Sequence, residues 1–207
     1  MILGITGGVG AGKSTVLAYL AQNYGAKVLE LDRVAEELQQ PGGACYEDML
    51  RLLRPYAAAA GREEDILLED GKFDRKAVAA LVFGDKKLLE QLNGIIHPAV
   101  REYVTDCVRS ASPQELTVIE SALLLDEERY DEMCDEIWYI YAPEEVRRER
   151  LRKSRGYSDD KITNIMNSQK SDAFFREHCE FIVDTSSNDV EIMYRQIDKG
   201  LSLHGIL

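Results

Sequence analysis

Gly7-Gly8-Val9-Gly10-Ala11-Gly12-Lys13-Ser14-Thr15 brings glycine, lysine and hydroxyl residues together at a spacing that serves one chemistry. Gly7, Gly12, Lys13 and Ser14 fit Gly-x-x-x-x-Gly-Lys-Ser/Thr, after an apolar run that reads as a strand and before a segment that reads as a helix. The glycines let successive backbone N–H groups turn toward one point, and the helix aims its positive N-terminus at the same place. The stretch from Gly8 and Val9 to Thr15 is therefore expected to hold phosphates. Lys13 would reach the β- and γ-phosphates and the Ser14 hydroxyl would ligate Mg²⁺. This is the signature of a nucleoside triphosphate site.

Other residues could act beside it. Asp32 closes a short apolar run, and ligands of open α/β sheets bind at the carboxyl ends of strands. Its carboxylate could accept a proton from an attacking hydroxyl or hold a Mg²⁺-bound water, and could equally cap the next helix. Glu120 ends the run Thr117-Val118-Ile119, where phosphate-loop proteins place a second acid that orients the Mg²⁺ water shell. Arg147, Arg148, Arg150, Arg152, Lys153 and Arg155 form the one strongly basic stretch. A guanidinium closing over a transferring phosphoryl group would stabilise it, although most charge runs are solvated helix faces. Arg147 and Arg150 stand one turn apart and share a face, whereas Leu151 is expected to pack inward. His97, just before Pro98, reads by itself as a structural hydrogen-bonding residue.

The elements that position these groups alternate between strand and helix, which predicts an α/β fold with a parallel sheet. Strands are expected at 2–5, 27–32, 116–121, 136–141 and 181–184. Helices are expected at 13–24, closed by Gly25, and at 34–40, stopped by Pro41-Gly42-Gly43. Between the second and third strands, helical periodicity covers 45–54, then a loop-like stretch spans 57–71. Asp74 is expected to cap 75–83, Asp85 to cap a helix toward 93, and Pro98 to open a further helix to about 110. Such a block reads as a helical insert. Later helices are expected to start at 143–145, to run from 158 to 169 or beyond, and to cover 189–201.

Composition sets bounds on partners. A net charge of −12 argues against a nucleic-acid binder, which needs a basic face. The four cysteines are scattered with no C-x-x-C pair, so reduced thiols in a cytoplasmic protein are expected. No apolar run reaches the length of a membrane span, and the chain opens directly on a core strand, which predicts no signal peptide. No obligate protein partner is evident.

Taken in order, the motifs resemble the dephospho-CoA kinase family. The loop at 7–14 is followed by Glu30-Leu31-Asp32 with Ala35, Leu38 and Pro41-Gly42, then by Gly71-Lys72-Phe73-Asp74-Arg75 and Val82-Phe83-x-Asp85. Leu92-Asn93-Gly94-Ile95-Ile96-His97-Pro98 is the most specific of the later matches, and Ala142-Pro143-Glu144 and Arg150-Leu151 complete the set. The resemblance implies a P-loop nucleoside-triphosphate hydrolase fold of the NMP-kinase type, with a core at about 1–33, 113–146 and 180–207. It implies a substrate-binding helical subdomain at about 34–112 and a lid at about 147–179.

The implied reaction is ATP- and Mg²⁺-dependent phosphorylation of the ribose 3′-hydroxyl of dephospho-CoA. In it Asp32 is the base, Lys13 and Arg150 stabilise the transferring group, and Asp32, His97, Arg147 and Arg155 meet substrate. The chain departs from the family pattern at Glu30, at Ala122-Leu123-Leu124-Leu125-Asp126, at Ser154 with Arg155 one step on, at Ile165, and at Thr185-Ser186-Ser187. A nucleoside or small-metabolite kinase on the same scaffold, or a nucleotide-binding paralogue without turnover, are the alternatives. The Asp-x-x-Gly and Asn-Lys-x-Asp signatures of GTPase switches do not occur.

Overall fold

Residues 2–5 are an unbroken apolar run, and in a computed structural model of the chain, which describes residues 1–61, 66–125 and 130–205, they form with Thr6 a central strand, β1 (Ile2–Thr6). Four more strands join it in parallel: β2 (Lys27–Glu30), β3 (Thr117–Glu120), β4 (Glu136–Tyr141) and β5 (Phe181–Asp184). Their order across the sheet is β2-β3-β1-β4-β5. The parallel α/β sheet is the one expected from the alternation of elements. In register, Glu30 lies beside Glu120 and Glu120 beside Ile5, so the carboxyl ends of β2, β3 and β1 are level where the phosphate loop leaves the sheet.

The chain divides into two compact units. The first, Met1–Glu30 with Ser110–Leu207, contains the sheet and the helices α1 (Lys13–Tyr24), α6 (Glu144–Arg155), α7 (Asp159–Asn167), α8 (Asp172–His178) and α9 (Val190–Ser202). Leu3, Ile5, Val118, Trp138, Ile140 and Val183 of the strands pack with Val16, Leu17 and Leu20 of α1 and Met193, Ile197 and Leu201 of α9. The second unit, Leu31–Arg109, is helical: α2 (Leu31–Leu38), α3 (Tyr46–Ala59), α4 (Arg75–Val82) and α5 (Lys86–Ser110), whose last residue falls in the first unit. Cys45, Met49, Leu53, Ala57, Ile66, Leu88 and Leu92 form its own core.

Several boundaries correct the sequence expectations. The second strand stops at Glu30, and Leu31 already belongs to α2. The apolar repeat Leu31, Val34, Leu38 starts a helical face at Leu31, so Asp32 lies in the first helical turn and not at a strand end. Helix α3 continues past Arg54 through Pro55 to Ala59, because Met49, Leu53 and Ala57 carry one buried face across the proline. Likewise α5 is one helix of 25 residues, not two meeting at Pro98. Leu88, Leu92, Val100 and Val104 keep a single buried stripe through it, and that packing carries the helix across Pro98.

The helix opened by Ser158 ends at Asn167, and α8 starts separately behind Ser171, whose hydroxyl accepts the Phe174 N–H. The Asp74 and Asp85 caps are present as expected: Asp74 accepts from Lys76 and Ala77, and Asp85 from Leu88. Among the departures from the family pattern, Asp126 lies outside the described residues.

None of the four cysteines is in a disulfide. Among the described residues, no helix is long and apolar enough to cross a membrane. Helix α9 seats its Gly200 on the Trp138 ring, and a Cβ there would lie 2.5 Å from two ring carbons. Trp138 is fully buried, so the ring has little room to retreat. Gly200→Ala is expected to cost about 1–3 kcal/mol by overpacking, read as a lower urea midpoint with an unchanged m-value.

Candidate active site

Three glycines give the loop between β1 and α1 its shape. Gly7, Gly10 and Gly12 have φ of 145°, 79° and 92°, a region that residues with a Cβ avoid. At Gly7 the chain also passes so close to β4 that a Cβ would lie 2.4 Å from the Ile140 carbonyl oxygen. Lys13 folds back over the loop: its Nζ donates to the Gly7 carbonyl at 2.7 Å and lies 3.5 Å from Glu120 Oε1. Glu120 is nearly buried at the end of β3, so it holds a negative charge close beneath the lysine. Ser14 and Thr15 are exposed in the first turn of α1.

The carbonyls on the outer side of this loop are held by side chains from distant parts of the chain. Val9 O accepts from Arg147 Nε at 2.9 Å, Gly10 O from Arg150 Nη1 at 3.4 Å, and Ala11 O from the buried Thr185 hydroxyl at 2.5 Å. In a planar trans peptide the C=O and the next N–H point in opposite directions. Fixing Val9 O and Ala11 O on one side therefore turns the N–H groups of Gly10 and Gly12 to the other. Neither N–H has a partner among the described residues, whereas Ala11 N–H is used inside the loop on Gly8 O at 3.1 Å. Such a row of outward carbonyls and inward amides at a helix N-terminus is an anion cradle.

The basic run sorts into two groups. Arg148 pairs with Glu144 and reaches Thr163 on α7, Arg152 pairs with Asp159, and Lys153 pairs with Glu149. Arg152 and Lys153 are exposed, whereas Arg148 is largely covered. Arg147 and Arg150 share the opposite side and turn to the loop, while Leu151 is buried, as their spacing predicts. Arg150 also donates to the Thr185 hydroxyl at 3.0 Å and to the Thr185 carbonyl. Arg147 Nη2 donates to Gln169 Oε1 at 2.6 Å, and that same oxygen accepts the Val9 N–H at 3.2 Å. Burial pushes the Arg147 guanidinium below its ordinary value, with Tyr139 and Glu144 pulling the other way.

A family model described as dephospho-CoA kinase matches residues 1–191. The chain belongs to the dephospho-CoA kinase family. The dephospho-CoA kinase of Moorella thermoacetica is 38% identical over 153 residues, 72% of this chain and 67% of that one. The dephospho-CoA kinase of Leifsonia xyli is 33% identical over 201 residues, 95% of each chain. The crystal structure of a dephospho-CoA kinase from Campylobacter jejuni covers 97% of this chain and 96% of its own with a TM-score of 0.67 at 18% identity, which shows a shared fold.

Asp32 is exposed in the first turn of α2, two residues beyond Glu30. His97 is exposed in the middle of α5. Arg155 ends α6, with its guanidinium carbon 5.9 Å from the Tyr157 ring centre and no bond to the loop. Ser154 bonds back to the Arg150 carbonyl of its own helix. Sequence reasoning assigns no role to Gln169 or Thr185. The amide carries no charge to mark it, and the threonine lies 174 residues from Ala11, so only the folded chain brings them to Val9 and Ala11.

Thr185→Val keeps the side-chain shape and removes the hydroxyl, leaving Ala11 O and Arg150 Nη1 without that partner. Unfolding in urea is expected to show a loss of about 1–3 kcal/mol. Thr185→Ser, which keeps the hydroxyl, is expected to recover most of it.

Proposed function

We propose that the chain transfers the γ-phosphoryl group of ATP to the ribose 3′-hydroxyl of dephospho-CoA, giving CoA and ADP, the last step of coenzyme A biosynthesis. The observation that carries this reading is the amide cradle of Gly10 and Gly12 with Lys13 folded over it, in a chain of the dephospho-CoA kinase family. In phosphoryl transfer the protein's work is positioning and electrostatic stabilisation, and a loop of amides plus a lysine supplies both.

In this reaction the loop amides and Lys13 hold the β- and γ-phosphates. Asp32 takes the proton of the 3′-hydroxyl as its oxygen bonds to the γ-phosphorus, and the bond from that phosphorus to the β,γ-bridging oxygen breaks to release ADP. Arg150, the arginine beside Gly10 and Gly12, neutralises charge on the transferring group, with Arg155 as a further cation of the lid. The Ser14 hydroxyl and the Glu120 carboxylate are hard oxygen donors of the kind Mg²⁺ takes, and the ion when bound supplies charge neutralisation at the β- and γ-phosphate oxygens. The helical unit Leu31–Arg109, with His97, accommodates dephospho-CoA, and the segment 147–179 serves as lid. A cytoplasmic location and the absence of a nucleic-acid partner belong to the same reading, supported by the disulfide-free cysteines and the net charge of −12.

Asp32→Asn is expected to lower kcat about 10²- to 10⁴-fold, the range of a general base, while ATP affinity is kept. Turnover by the unaltered chain is expected with dephospho-CoA and absent with pantothenate, adenosine or uridine as acceptors. Near-wild-type activity of Asp32→Asn would contradict the base assignment, and ATP binding without turnover of any acceptor would contradict the reaction.

A further inference from the structure

Val9 is gripped on both its backbone polar atoms, the N–H of the Gly8–Val9 peptide and the carbonyl of the Val9–Gly10 peptide. Arg147 Nε donates to its carbonyl and Gln169 Oε1 accepts its N–H, while Arg147 Nη2 and the Gln169 oxygen bond to each other. The three groups close a ring between residues far apart in sequence: the loop tip, the second turn of α6, and the connection after α7. Arg147 is half-buried and its fork is oriented toward Val9 and Gln169, a geometry a lysine's single ammonium does not reproduce. Gly8 completes the fit. A Cβ there would lie 2.3 Å from Arg147 Nη2 and 2.4 Å from Cζ, so the guanidinium occupies the space a side chain would need.

We propose that Arg147 and Gln169 form a latch that fixes the two peptides flanking Val9 and thereby aims the Gly10 N–H at the triphosphate, making both positioning residues for nucleotide binding. The proposal rests on the reading of the loop as a triphosphate site. It gives Arg147 a task other than meeting the transferring group. The guanidinium acts from behind the loop, through a carbonyl, and the amide on the opposite side of that peptide meets the phosphate. Gln169 contributes twice: it steadies the guanidinium, and it retains the Val9 N–H so that this donor does not compete with Gly10 for the anion. The latch also joins α6 to the segment after α7, so the order of the lid and the shape of the loop depend on one set of bonds. The anion it serves is a polyphosphate chain, whichever base is attached.

The test uses the full chain with Arg147→Lys, Gln169→Leu, the double variant and Gly8→Ala. The readouts are displacement of a fluorescent ATP analogue by ATP and by inorganic tripolyphosphate, KM for both substrates, and thermal midpoints. Each single variant is expected to weaken both competitors about tenfold, the loss of one charge-assisted hydrogen bond. The double variant is expected to be no weaker than the worse single, because the two side chains are bonded to each other and act together on Val9. Gly8→Ala is expected to weaken binding in the wild-type background and to do so far less beside Arg147→Lys, where the blocking fork is gone.

KM for dephospho-CoA is expected to hold, which a general packing defect would not allow. If one variant does not fold, the others carry the same comparison. Unchanged displacement, additive losses, or a loss for ATP with none for tripolyphosphate would overturn the latch, the last by placing Arg147 against the base. Failure of the unaltered chain to bind either polyphosphate would remove the triphosphate reading itself, and the latch with it. Polyphosphate binding without turnover of dephospho-CoA would overturn the proposed reaction and leave the latch standing.

Discussion

A phosphate-binding loop must keep some backbone N–H groups without protein partners, a condition that a folded chain elsewhere avoids. The difficulty is met here from the opposite side of each peptide. Arg147, Arg150 and Thr185 hold the carbonyls of Val9, Gly10 and Ala11, and the planarity of the peptide unit turns that grip into a direction for the amides of Gly10 and Gly12. The sheet makes this possible. Strand β1 delivers the loop, β4 leads into α6 with Arg147 and Arg150, and β5 ends just before Thr185, so the braces arrive from the strands on one side of β1. On the other side of β1, β3 delivers Glu120 beneath Lys13.

The same arrangement explains how a chain with a net charge of −12 suits a polyanion. Charge acts locally, because exposed charges more than a Debye length apart are largely screened. Of the basic run on α6, Arg148, Arg152 and Lys153 are matched by carboxylates, and Arg147 and Arg150 are turned to the loop with Lys13 nearby. The acidic surface elsewhere leaves that positive focus intact.

What the sequence made legible follows from how local each signal is. The loop, its flanking strand and helix, the Asp74 and Asp85 caps and the Gly25 stop depend on residues within a few positions, and they were readable. The continuation of α3 through Pro55 and of α5 through Pro98 was not, since the prolines argue locally for a break and the buried stripe that overrides them exists only in the packed unit. The strand-end reading of Asp32 failed for a related reason, as Leu31 packs on the helical side of the boundary. Spacing placed Arg147 and Arg150 on one face, but not their acceptors. A run of arginines announces charge, and Gln169 announces nothing until the fold brings it to Val9.

The direction of the loop amides can be observed one by one. Backbone amide NMR on ¹⁵N-labelled protein, titrated with Mg-ATP, separates the Val9, Gly10 and Gly12 signals. The expected result is a large downfield movement of the Gly10 and Gly12 protons as they bond to phosphate oxygens, with Val9 nearly still because its N–H stays on Gln169. A large movement of Val9 with Gly10 and Gly12 unmoved would contradict the orientation on which the site depends.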